Sequence, residues 1–96
     1  MIGSFGDRAT EDVFHGTNSK QARRLPKQIW VLVRRKLDLL NAAHRLEDLR
    51  VPLGNRLEAL RGDLKGFYSI RVNDQYRIIF RFEEGRAYEV KCEDYH

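Results

Sequence analysis

With 96 residues, 42% of them hydrophobic and 33% charged, the chain has enough apolar material for one modest core and too little for two. Lys and Arg total 18 against 14 acids, for a net charge of +4 and a pI near 9.5; this favours an anionic partner, with a solvated basic surface as the alternative. A single cysteine, Cys92, excludes an intramolecular disulfide and a thiolate zinc cluster, the opening MIGSFGDRATEDVF has acids where a leader needs an apolar run, and no stretch reaches membrane-spanning length, so a reducing, cytoplasmic setting is expected.

MIGSF is short, apolar and bounded by Gly6-Asp7, which predicts a brief strand over Ile2 to Phe5. Asp7 is a possible helix cap, and Ala9, Val13 and Phe14 suit a short helix stopped by Gly16. The polar run from Gly16 to Arg24 reads as a loop. From Pro26 to about Ala43, Ile29, Leu32, Val33, Leu37 and Leu40 recur at three- and four-residue steps, predicting the main amphipathic helix with Pro26 in its first turn. Leu46 and Leu49 add a further helical turn before Pro52 and Gly54 break it.

The period then changes. FYSIRV, YRIIFRF and AYEVKC alternate apolar with polar residues, and a weaker strand precedes them around Leu57 to Arg61. The prediction is one α+β domain over residues 1–96, with two N-terminal helices packed on one face of a mainly antiparallel sheet.

Alternation also fixes register, because a one-residue slip would send every apolar side chain to the wrong face. Placing Val72 beside Tyr76 and Ile70 beside Ile78 makes Asn73-Asp74-Gln75 a three-residue turn and sets Arg71 across from Arg77. Placing Phe80 beside Val90 and Ile78 beside Cys92 sets Glu93 across from Arg77 and Arg81 across from Glu89, with Glu84-Gly85-Arg86 as the turn. A loop over Gly62 to Gly66 would set Arg61 across from Phe67, on the face that carries Arg71. Opposed arginines repel, so the pair makes sense beneath an anion; the alternative is a surface ladder in which Glu93 neutralises Arg77. Continued alternation returns Tyr95 to the arginine face, while Asp94 points away if the strand stays regular.

Arg61, Arg71 and Arg77 with a phenol and the imidazole of His96 are a parts list for cleaving RNA: cations for the phosphate, and groups that take and give protons. Tyr95 could stack on a base or take part in proton transfer. His15, His44 and His96 lack metal-ligand spacing, so no metal is expected. Cys92 and Trp30 read as packing residues. Lys20, Arg23, Arg24, Lys27, Arg34 and Arg35 form a second basic zone, open to reading as a solvated face, a ribosomal RNA contact or a partner interface.

The run GNRLEALRGDLKGFYSIRVNDQYRIIF and the ending EDYH resemble the HigB toxins of type II toxin–antitoxin systems, within the RelE/ParE superfamily. The likeness spans nearly the whole chain. It implies a small ribonuclease fold, metal-independent cleavage of messenger RNA in the ribosomal A site, no cofactor, and a helix-turn-helix HigA-type antitoxin that reaches operator DNA on the pair's behalf. Family positions proposed for catalysis fall on Arg61, Arg77, Asp94, Tyr95 and His96; Arg61 is assigned to RNA binding with Lys65, Arg71 and Asn73. Where well-studied members carry a histidine before the GD loop, this sequence has Glu58, a carboxylate able to replace it as base or to serve structurally. The competing readings are a toxin of the same fold that inhibits DNA gyrase without cutting RNA, and a basic RNA-binding module without catalysis.

Overall fold

The computed structural model describes residues 1–95; His96 lies outside the described residues. Helix α1 (Arg8–Phe14) starts where Asp7 accepts a hydrogen bond from Thr10 N at 2.9 Å, and it ends two residues before Gly16, whose φ of 74° suits glycine. The expected loop after it contains a 3-10 turn, Ala22–Arg24, pinned by buried Ala22 and Leu25. The main helix is divided: a 3-10 turn, Lys27–Ile29, leads into α2 (Trp30–Ala42). Pro26 has φ −55° and ψ 131° and lies just outside the turn, as the residue that introduces it. Two more 3-10 turns, Leu46–Arg50 and Leu53–Asn55, occupy the stretch expected to hold one helical turn.

Four antiparallel strands follow in sequence order: β1 (Glu58–Ala59), β2 (Tyr68–Arg71), β3 (Tyr76–Glu83) and β4 (Arg86–Asp94). The helices cover one face. Val13, Val33, Leu37 and Leu40 from that layer meet Ile70, Ile78, Phe80, Val90 and Cys92 from the sheet in one buried cluster. Helix α1 is also tied by a buried polar contact, Cys92 N donating to Thr10 Oγ1 at 2.8 Å. Among the described residues no helix is long and apolar enough to cross a membrane.

The predicted strand at Ile2–Phe5 is reduced to two isolated parallel bridges, Ile2 with Ala87 and Phe5 with Val90. The segment lies along the outer edge of β4, where Gly3 N and Gly6 N donate to Ala87 O and Val90 O, each at 2.7 Å. It thereby covers an edge that would otherwise present unpaired backbone groups.

The register of β2 with β3 is as expected: Ile70 pairs with Ile78 and Arg71 with Arg77. Between β3 and β4 the expectation holds for Ile78–Cys92 and Arg77–Glu93 and then fails, the ladder passing from Ile79–Lys91 to Arg81–Tyr88. The turn is Glu84-Gly85 alone, closed by Glu83 and Arg86, with φ of 48° and 77°; two successive positive values mark a type I′ hairpin turn. The residue omitted from the turn reappears as a bulge at Glu89, which has φ 53°. Arg81 therefore opposes Tyr88, although its guanidinium still reaches Glu89 at 3.2 Å. Arg61 is also one place from its expected partner: Glu58 pairs with Ser69, and Leu60 N donates to Phe67 O at 2.9 Å, so Leu60 takes the position opposite Phe67. A loop longer than Gly62–Gly66, starting at Arg61, causes that shift.

Candidate active site

The sheet face turned away from the helices carries Glu58, Ser69, Arg71, Arg77 and Glu93 by register. It is partly filled, since Leu60 and Ile79 are buried yet stand outside the main cluster. Although Arg71 and Arg77 are opposed in the ladder, their guanidinium groups find different acceptors. Arg71 forms an ion pair with Asp74 in the adjoining turn. Arg77 donates through Nε to Ser69 Oγ at 2.8 Å and through Nη2 to Arg56 O at 2.6 Å, with Ser69 O at 3.4 Å. Glu93 turns its carboxylate to Lys91 Nζ at 2.8 Å, so its ion pair runs along β4 and Arg77 is held by neutral oxygens.

Arg56 reaches Arg77 from a left-handed conformation, φ 46° and ψ 57°, which turns its carbonyl to the guanidinium. Its neighbour Asn55 is fully buried. The Asn55 side chain donates to Leu49 O at 3.1 Å and accepts from Lys36 Nζ at 2.6 Å, tying the NRLEAL segment to α2. Burial, and then the charge of Arg71, lowers the pKa of Lys36.

Tyr95 completes the arrangement. Tyr95 N donates to Gln75 O at 2.7 Å, continuing the ladder, and the Arg77 guanidinium carbon lies 5.6 Å from the Tyr95 ring centroid. The ring borders an open cleft of about 670 Å³ together with Glu58, Ala59, Leu60 and Arg61. Glu58, Arg61 and Tyr95 therefore gather around one space, and Arg77 lies behind it in contact with the Tyr95 ring.

Other predicted residues stand apart. Asp94 pairs with Tyr76 in the ladder and lines a smaller cleft on the helix side with Arg8, Arg24 and Cys92. Its Oδ2 accepts from Gln75 Nε2 at 3.0 Å. Lys65 is exposed just after the Gly62–Leu64 turn and does not line the Tyr95 cleft. Asn73 shapes the β2–β3 turn, its Oδ1 accepting from Gln75 N at 2.9 Å and Tyr76 N at 2.7 Å. Three participants escape the sequence reading. Ser69 is within reach of the register, two residues before Arg71 on the same face; the Arg56 carbonyl depends on a backbone conformation that no pattern announces; the grip of Gln75 on the tail does not follow from its place in the turn.

The family model for the RelE-like toxin HigB of type II toxin–antitoxin systems matches residues 4–96. This chain belongs to the HigB-like toxin family. Toxin HigB-1 of Vibrio cholerae serotype O1 is 46% identical over 87 residues, covering 91% of this chain and 90% of that protein. Endoribonuclease HigB of Proteus vulgaris is 46% identical over a shorter stretch of 41 residues, 43% of this chain and 45% of that one. The fold is that of solved toxins of low identity. The YoeB–YefM complex from Staphylococcus aureus gives a TM-score of 0.61 at 16% identity, covering 100% of this chain and 98% of that one. YafQ from Escherichia coli gives 0.56 at 14% identity, covering 98% and 93%. The α+β architecture of this HigB-family chain is thus shared with RelE-type toxins.

Proposed function

We propose that this HigB-family toxin cleaves messenger RNA on the ribosome, using the cleft between Glu58, Arg61 and Tyr95. The observation that carries the reading is the contact of Tyr95, which lines that cleft, with the pinned, buried Arg77. RNA cleavage by 2′-hydroxyl attack needs a cation fixed in place before negative charge develops on the phosphate, because donors that need not reorganise stabilise the transition state best. Arg77 is such a cation, and Arg61 adds a second from the cleft wall. Tyr95 offers a ring for a base and a hydroxyl for the phosphate. Glu58 and His96 share the roles of proton acceptor and donor, a division that side chains alone can perform. Asp94, held by Gln75, orients the tail.

The partner that silences the toxin is a HigA-type antitoxin carrying the helix-turn-helix that binds operator DNA. Support for an antitoxin partner comes from family membership and from the YoeB–YefM complexes among its fold relatives. Primer extension on a ribosome-bound message tests the nuclease: the wild type should create new 5′ ends, and Arg77→Ala or His96→Ala should reduce them at least a hundredfold. Folded variants that cut like the wild type would defeat the site assignment. New ends absent altogether, with DNA damage signalling instead, would move the activity to gyrase.

A further inference from the structure

We propose that Lys36 and Asn55 are positioning residues for Arg77, acting on it through the backbone carbonyl of Arg56. The consequence for cleavage rests on the reading of Arg77 as the cation that meets the phosphate; the physical link to Arg77 does not.

The Arg77 guanidinium has two anchors of different origin. Ser69 belongs to β2, so the β2–β3 ladder itself places the hydroxyl that accepts from Nε. Arg56 belongs to no strand: it follows the Leu53–Asn55 turn and precedes β1, and its carbonyl accepts from Nη2 at 2.6 Å. Pairing within the sheet does not fix that oxygen.

The backbone of Arg56 fixes it instead, through φ 46° and ψ 57°. This left-handed conformation is unfavourable for a residue with a Cβ, and Arg lacks the short polar side chain that eases it in Asn or Asp. Such a residue persists where its surroundings over-determine it, and here both neighbours are held. Asn55 N donates to Pro52 O at 3.0 Å and Arg56 N to Leu53 O at 3.1 Å, while Leu57 packs against the core on the other side. The fully buried Asn55 amide donates through Nδ2 to Leu49 O at 3.1 Å and Val51 O at 3.5 Å, and its Oδ1 accepts from Lys36 Nζ at 2.6 Å. A buried amide left unpaired is costly, so these partners hold the side chain and the main chain it hangs from. Lys36 brings its donor from α2, which Val33, Leu37 and Leu40 seat in the core.

The distribution of buried polarity points the same way. Among the described residues, the buried polar or charged ones are Thr10, Asp12, Asn55, Ser69 and Arg77. Thr10 and Asp12 fasten the N-terminal layer, through Cys92 N and Ser19 Oγ. The other three form one array, running from Asn55 by way of the Arg56 carbonyl to Arg77 and on to Ser69. A fully satisfied buried network specifies one geometry. This one ends on the guanidinium that lies against the Tyr95 ring.

The experiment joins single-turnover cleavage of a ribosome-bound message with nitrogen-15 NMR of the Arg77 guanidinium in the free full chain, for wild type, Asn55→Ala, Lys36→Met and Lys36→Arg. Arg77→Lys identifies the Arg77 signals. Asn55→Ala should speed rotation of the Nη2 group about tenfold, as loosening of one charge-assisted bond requires. At saturating toxin its cleavage rate should fall about tenfold while the half-saturating concentration stays within about twofold, the mark of an interaction felt in the transition state. Lys36→Met should show both changes to a smaller extent, and Lys36→Arg, which keeps a charged donor, should recover most of the rate. Because the two residues act in series, Lys36→Met with Asn55→Ala should cut no more slowly than Asn55→Ala alone. Thermal melts check folding, and if Asn55→Ala does not fold, Lys36→Met decides. Lys36 feels the charge of Arg71, so an effect through the grip on RNA would appear in the half-saturating concentration. A loss confined there would overturn the proposal, as would unchanged rotation or unchanged rates in folded variants. Faster rotation in the variants of a toxin whose wild type cuts no message would uphold the link and refute the nuclease reading alone.

Discussion

Arg77 is only 7% exposed, and its donors end on oxygens without formal charge. That combination leaves its charge without a counter-ion among the described residues while fixing its direction. Ser69→Ala removes the Nε acceptor and should cost about 1–3 kcal/mol, the range for a buried bond to a charged group. Message cleavage should fall with it, and Ser69→Thr, which retains the hydroxyl, should recover more of the rate than Ser69→Ala; equal cleavage by alanine and wild type would remove Ser69 from the machinery. Burial pushes the Cys92 thiol up to about 12, with the Asp7 and Glu93 charges acting in the same direction. The folded chain therefore keeps its thiol proton above the pH where the unfolded chain loses it. This contribution to stability is complete below pH 9 and is lost as pH rises towards 12. Urea midpoints of Cys92→Ala should decline less steeply with alkaline pH than those of the wild type.

At the level of elements, alternation reveals the strands, the facing of Arg71 and Arg77 and the return of Tyr95, because a half-buried sheet writes its inside and outside into every second residue. It cannot reveal the Glu89 bulge. Turn of three with a regular strand, or turn of two with a bulge, leaves Arg77 facing Glu93 either way, and only the positive φ of Glu84 and Gly85 separates them. Within the site, the arginines and the tail are legible as residue types, whereas the clustering of Glu58 with Tyr95 requires three dimensions. The role of Asn73 is open to a direct test. As a turn residue it uses only Oδ1, and an aspartate at that position would supply the same acceptor, so Asn73→Asp should keep stability within about 0.5 kcal/mol and cleavage near wild type. As an amide donor to RNA it would not survive that change. Single-turnover cleavage beside a urea melt separates the two.

Across the whole molecule, acids pair with Arg71, Arg81 and Lys91 on the sheet, while among the described residues Lys20, Arg23 and Lys27 have no carboxylate partner and repel one another. Relieving that repulsion should not harm the fold. Lys20→Gln with Arg23→Gln should leave unfolding free energy within about 0.5 kcal/mol of wild type, shifted upward at low salt, with the difference fading near 1 M as screening takes over; a large destabilisation would mean that these side chains support the fold instead. The N-terminal segment along β4 adds a matter of timing. Ser4 Oγ accepts from Glu89 N across 85 residues of chain, and Thr10 anchors α1 to Cys92 across 82. As the chain emerges from the ribosome that makes it, its first residues have nothing to zip against until nearly the last have been synthesised. A chain interrupted before β4 therefore lacks the partner of its own first residues as well as the Tyr95 tail.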